Sequence, residues 1–358
     1  MASYFVDPAI NANSGAGTLG SPFGDLQYAL NTITRDATNG DIIYIKSGTA
    51  EILTASLSLA TYGTPTLSVP LSFRGYTAAA EDGGQGEING NATFSICSST
   101  PDGLSYSNLK LGNCGSAAVL SIGRFGGVFN CDIHTSTGNG IVGNSDGSPV
   151  VNSIIRGVSG VGVSGSAVCN CLFYCEGGRN FSSATTSEMV TDSIFYLTGA
   201  SHGINNGNGT GGNVTLRNSL LSVSASSTAT GILRGRPIRS GIIAGNIVEG
   251  FLTGFNFQNN SESGFGLQHN AAFNNTTNYS SNLGKSLLVN FDNETLASSP
   301  FAKSGSVTWA NRMTYFALNN VGAVRNGLFG AYSKGAVQYL SAGGASGFSL
   351  SRLINLGG

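Results

Sequence analysis

The stretch from Val150 to Cys175, VVNSIIRGVSGVGVSGSAVCNCLFYC, writes one phrase twice: an anchoring Asn, a small residue, then two apolar residues. The phrase returns as Asn130-Cys-Asp-Ile, Asn152-Ser-Ile-Ile, Asn170-Cys-Leu-Phe, Asp192-Ser-Ile-Phe and Asn218-Ser-Leu-Leu. Looser copies start at Ser107, Gly245 and His269. Anchors recur at a period of about 22 residues, too short for helical repeats, and the leucine signature of leucine-rich repeats is missing. Short β-prone runs between Gly-rich gaps suit one coil of a parallel β-helix. Each coil would hold two or three strands that pair with the next coil at about 4.8 Å, so seven steps give about 34 Å of rod.

Side chains alternate across a strand, so each position of the phrase becomes a file along the rod. Ile133, Ile155, Phe173, Phe195 and Leu221 form the inward apolar file. Cys131, Ser153, Cys171, Ser193 and Ser219 form a small file beside it, suited to a tight corner of the core. The opposite face carries Asp132, Ile154, Leu172, Ile194 and Leu220, followed by His134, Arg156, Tyr174, Tyr196 and Ser222. Strands apolar on both faces are covered on both faces. The outward aliphatics are therefore covered by the chain's own loops, or the register slips by one in some coils, or a neighbouring subunit covers them, most simply in a trimer. Leu26, Ala29, Leu30 and Ile33 keep helical spacing, which predicts a short helix over the first coil.

Composition sharpens this picture. Gly is 53 of 358 residues, charged residues are only 10%, and the net charge is −1. A near-neutral chain is a poor match for nucleic acid, which requires a basic face. No run approaches the length of a membrane span, and no basic stretch followed by an apolar run opens the chain, so neither span nor export signal is expected. The Asn-x-Ser/Thr triplets at Asn91, Asn208 and Asn213 then read as chance. Cys131 and Cys171 fall two coils apart, about 9.6 Å, beyond the roughly 7 Å that a disulfide spans. Cys169, Cys171 and Cys175 are placed along one inward row, as small buried residues rather than metal ligands.

YFVDP, GTLGSPFGDLQYAL and GDIIYIKSGT near the start, and LSFRGY at 71–76, resemble the opening of the bacterial and phage family of right-handed parallel β-helix proteins, the pectate-lyase-like fold. SSPFAKSGS at 298–306 is similar to that family's closing segment, with Lys303 where an acidic residue is usual, and GAVR (322–325) and GAVQ (335–338) resemble its terminal turn. The implied fold is all-β: a single-stranded right-handed parallel β-helix with a short N-terminal capping helix and an irregular C-terminal tail. The organisation is a cap over 1–40, coils over 41–300, and a C-terminal cap and extended tail over 301–358. The resemblance leaves activity open, since this fold carries lyases, hydrolases, adhesins, tailspikes and inert virion parts.

The literal GVGVSG at 160–165 lacks the following helix that a dinucleotide site requires and reads as turn glycines. Glycosidases need two carboxylates about 5–10 Å apart on one face. The outward acids Asp132, Asp146, Glu176, Glu188, Asp192 and Glu249 are sparse and show no such pairing. Asp132 and His134 point the same way and are the one acid–base candidate. RGRPIRS supplies Arg234, Arg236 and Arg239, expected on a long loop that meets an acidic partner or carboxylated sugar. His134, Arg156, Tyr174 and Tyr196 are expected to touch a neighbouring subunit or a glycan, and no catalytic residue, metal or cofactor is assigned. The function expected is a non-enzymatic structural protein of a phage virion, a head decoration protein or a fibre or spike, made in the host cytoplasm. It would be homo-oligomeric and bound to other virion subunits. The alternative is an extracellular polysaccharide lyase or glycoside hydrolase. The Gly-rich tail over 340–358 is expected to dock on another subunit.

Overall fold

The computed structural model describes residues 1–295 apart from breaks at 11–12, 98, 116–117, 144–147, 176–178, 180, 183–186, 198–201, 207–211, 218, 224–228, 235–237, 258–264, 269, 281–286 and 292–293. The closing segment at 298–306, the GAVR and GAVQ turns and the expected tail lie outside the described residues.

Three parallel sheets of 12, 11 and 8 strands make the molecule, and each strand's neighbours come from the coils before and after it. One coil runs through Gly127–Phe129 in the first sheet, Asp132–Ser136 in the second and Ile141–Gly143 in the third. Pro149–Val151 then pairs back onto Gly127–Phe129. Parallel crossovers wind right-handed, and twelve strands at about 4.8 Å extend the rod to about 53 Å. This is a right-handed parallel β-helix, longer than the sequence repeat alone suggested.

The anchor of the repeat has a conformational cause. Asn108, Asn130, Asn152, Asn170 and Asp192 all hold φ between 52° and 54°, in the left-handed region. Short polar side chains tolerate that region better than other L-residues, and one such residue turns the chain from the first sheet into the second. Gly245 takes the same role at φ 66°. The anchor of the earliest looser copy is therefore Asn108 rather than Ser107: Leu111, not Lys110, pairs with Ile133. Sequence spacing missed this slip because SNLK satisfies the phrase in either register.

The inward file stacks as the alternation requires. Ile133, Ile155, Phe173, Phe195 and Leu221 are each opposite the next and fully buried. The Phe173 and Phe195 rings lie 4.5 Å apart at 14°. The small file makes a hydrogen-bonded ladder at the corner. Cys131 N–H donates to Ser153 Oγ (3.2 Å), Cys171 N–H to Ser193 Oγ (3.1 Å) and Ser219 N–H to Asn246 Oδ1 (3.0 Å). The left-handed residue breaks the strand ladder there, and these side chains supply the acceptors that buried N–H groups need.

Six cysteines are free thiols, and burial pushes Cys131 and Cys171 up to about 12. Cys169 departs from expectation. It sits on the outward file of the first sheet, opposite Val151 and Thr191, half-buried, because alternation does not carry across the left-handed Asn170. Among the described residues no cluster of His, Cys, Asp and Glu has metal-binding geometry, and no helix is long and apolar enough to cross a membrane.

The helix spans Leu26–Thr32, with Asp25 as N-cap accepting from Tyr28 N–H. Leu26, Ala29, Leu30 and Ile33 all join the main core. That core includes Val6 near the start and Ala272 in the late coils. Residues 1–40 also supply the first strand, Ala2–Val6, which pairs with Asp41–Lys46.

Candidate functional site

The outward face of the second sheet gathers the candidates. Its strands Gly86–Asn89, Leu109–Cys114, Asp132–Ser136, Ile154–Val158, Leu172–Cys175 and Ile194–Leu197 pair in succession. One outward file reads Glu87, Lys110, Asp132, Ile154, Leu172, Ile194 and then Leu220. The next reads Asn89, Gly112, His134, Arg156, Tyr174, Tyr196 and Ser222.

These two files split in character along the rod. Arg156 forms a two-pronged ion pair with Asp132, Nε to Oδ1 at 2.9 Å and Nη2 to Oδ2 at 2.7 Å. This fork geometry is specific and raises the guanidinium pKa further. His134 is half-buried in the coil before Arg156. Burial lowers its pKa below the usual imidazole value, with Arg156 and Lys110 adding to the shift and Asp132 and Glu87 opposing it. The imidazole is therefore neutral at neutral pH. Gly112 makes room for it: a Cβ there would stand 2.0 Å from the His134 carbonyl oxygen and 2.9 Å from Cγ of the ring. Tyr174 and Tyr196 continue the file as a parallel pair, 5.7 Å apart at 14°, with Tyr174 half-buried and Tyr196 buried.

A bulge file runs beside this row. Asn113, Thr135 and Gly157 follow Gly112, His134 and Arg156 directly, and all three have positive φ: 51°, 45° and 59°. The ladder passes over Thr135, resuming at Ser136 opposite Val158. A β-branched residue in the left-handed region is strained, and such strain gathers at functional surfaces. Bulges similarly re-aim side chains next to sites. The bulge ends at Tyr174, where Val158 pairs directly with Cys175.

The aliphatic part of the face behaves differently from a docking surface. Leu172 and Ile194 are fully buried and Ile154 is half-buried, so the stripe around Leu172 and Ile194 is covered within the chain. Leu220 holds the next position, opposite Ile194. The three arginines of RGRPIRS are not gathered on one loop. Arg234 ends the strand Thr230–Arg234 of the third sheet and Arg239 lies in Ile238–Ala244 of the first, while Arg236 lies outside the described residues. Strand residues occupy both ends of the segment, and 235–237 between them lie outside the described residues.

The remaining candidates scatter. Glu249 is buried in the second sheet, Glu188 lies in a first-sheet strand, and Asp192 is a corner anchor. Asp146 and Glu176 lie outside the described residues. GVGVSG leads through Val163–Ser164 of the third sheet into Ala167–Cys169 of the first, with no helix. Glu87 and Lys110 were absent from the sequence candidates, Lys110 because the slip at Ser107 turned it inward and Glu87 because it lies one coil before the earliest copy of the phrase. Recognising Asn108 as the left-handed anchor would have placed Lys110.

No protein-family description matches the chain, and no curated protein matches it. Solved structures do. Pectate lyase Pel9A is 15% identical with a TM-score of 0.47, covering 83% of this chain and 78% of that one. A mannuronic acid specific polysaccharide family 6 lyase from human gut microbiota is 11% identical with a TM-score of 0.41, covering 88% and 90%. The GH136 lacto-N-biosidase from Eubacterium ramulus is 11% identical with a TM-score of 0.33, covering 82% and 67%. Such distant likenesses carry no activity across, and it is the chain's own parallel pairing that makes it a β-helix.

Proposed function

We propose that the protein is a non-catalytic β-helix rod that engages a polysaccharide along the outward face of its second sheet, as a spike, fibre or decoration component of a virion. The observation that supports this most is the file His134, Arg156 and Tyr174 at one-coil spacing, edged by Asp132 and continued by the buried Tyr196. Convergent hydrogen-bonding groups beside aromatic side chains are what carbohydrate recognition needs. A subunit interface at the same place loses its aliphatic anchors, since Leu172 and Ile194 present no surface. Assembly into a homo-oligomer, most simply a trimer, belongs to the same proposal and is read by light scattering.

Polysaccharide retention tests the reading. Tyr174→Ala is expected to weaken retention about tenfold, by loss of the half-buried aromatic contact on this face. Unchanged retention would remove this face from the account.

A catalytic reading is favoured by one observation, the neutral half-buried imidazole of His134 two residues from Asp132. Such a group can accept a proton at neutral pH. Product release from a polysaccharide panel, abolished by His134→Gln, would establish that reading over the first.

A further inference from the structure

The charges on this face cancel, and that cancellation bears on which polysaccharide fits. Lys110 stands in register between Glu87 and Asp132 in one outward file. Arg156 is already committed to Asp132 through both prongs of its guanidinium. Two carboxylates therefore face two cations within four successive coils, and His134 adds no charge at neutral pH. Further along the rod these files reach Glu249, buried and two coils beyond Tyr196, and Glu294, in register three coils beyond Leu220, both far from the four coils that carry the charges.

Resting on the polysaccharide reading above, we propose that this face selects neutral sugars and disfavours uronates. An incoming carboxylate that approached Lys110 would also meet Glu87 and Asp132, its in-register neighbours on either side, and one that approached Arg156 would have to draw it away from Asp132. Displacing Arg156 would strip Asp132 of a charge-assisted pair without restoring it elsewhere. Neutral hydroxyls meet no such conflict: carboxylate oxygens accept from them, and the lysine and the remaining guanidinium N–H groups donate to them.

The test is retardation of the full chain in gels holding neutral polysaccharides, such as galactomannan or xyloglucan, or uronate polymers, such as polygalacturonate or alginate. Retardation by a neutral polymer is expected, unchanged between about 50 and about 500 mM salt, because screening acts only on charged contacts. Uronate polymers are expected to retard the protein weakly. Asp132→Asn, which releases Arg156 from its partner, is expected to strengthen uronate binding about fivefold, the size of one partly exposed charge contact. Stronger retardation by uronates than by neutral polymers, lost in high salt, would overturn the selectivity while leaving polysaccharide binding standing. An Asp132→Asn variant with no gain toward uronates would overturn it as well. Retardation by no polymer would defeat the polysaccharide reading itself, and the selectivity with it.

Discussion

Single residues at the corners decide how this chain winds. The left-handed Asn is one, and the buried Glu51 is another. Glu51 sits opposite Ile88, at the end of the file that continues through Leu111 and Ile133. Its Oε1 accepts the Leu26 N–H at the start of the helix. Burial, with a smaller push from Asp25, raises its pKa from 4.5 to about 7. A folded-state pKa above the unfolded one means that stability is fully present below pH 4.5 and is lost as pH rises through about 7. Glu51→Gln keeps an acceptor for Leu26 without the charge. It is expected to match the wild type near pH 4 and to exceed its stability by roughly 2–3 kcal/mol at pH 8, read by denaturant unfolding. Equal stability at both pH values would show that the carboxyl is not held in the folded core.

At the scale of the strand and corner, the small file carries a cost that the apolar file does not. Ser193 Oγ accepts from Cys171 N–H and donates to the Thr191 carbonyl at 2.8 Å. Ser193→Ala leaves the buried Cys171 N–H without its acceptor, while the Thr191 carbonyl keeps the Asn170 N–H, and is expected to cost about 1–3 kcal/mol in denaturant unfolding. Phe173→Ala removes half of the stacked pair and is expected to cost about 3–5 kcal/mol, the range for large core truncations. The second sheet was the most legible element in the sequence, because two-residue alternation and a fixed anchor specify both register and face. The third sheet was the least legible: its strands are as short as Val163–Ser164 and Phe181–Ser182, too short to display a period. RGRPIRS misled for a related reason, since arginines and a proline look like a loop whether or not strand pairing claims their neighbours.

Across the whole molecule, the repeat gives the rod its winding and its spacing alone places His134, Arg156, Tyr174 and Tyr196 in one file. Three features of the site lay beyond it. Burial of Leu172 and Ile194 depends on what packs over the sheet, which no local pattern records. The Thr135 bulge is a backbone event without a residue-type signature. The pairing of Asp132 with Arg156 joins neighbouring coils, and only the register makes it visible. Every reading of the face depends on outward residues of successive coils standing in files along one axis. The most direct measurement of that is the distance between spin labels on Phe129→Cys and Arg217→Cys, exposed positions in one outward file of the first sheet. A Cys169→Ser background leaves only buried native thiols. Four coil steps put the labelled backbone sites about 19 Å apart, so a narrow distribution near that value, broadened only by the label arms, is expected. A broad distribution, or one centred beyond about twice that spacing, would contradict the stacked files and the binding face built on them.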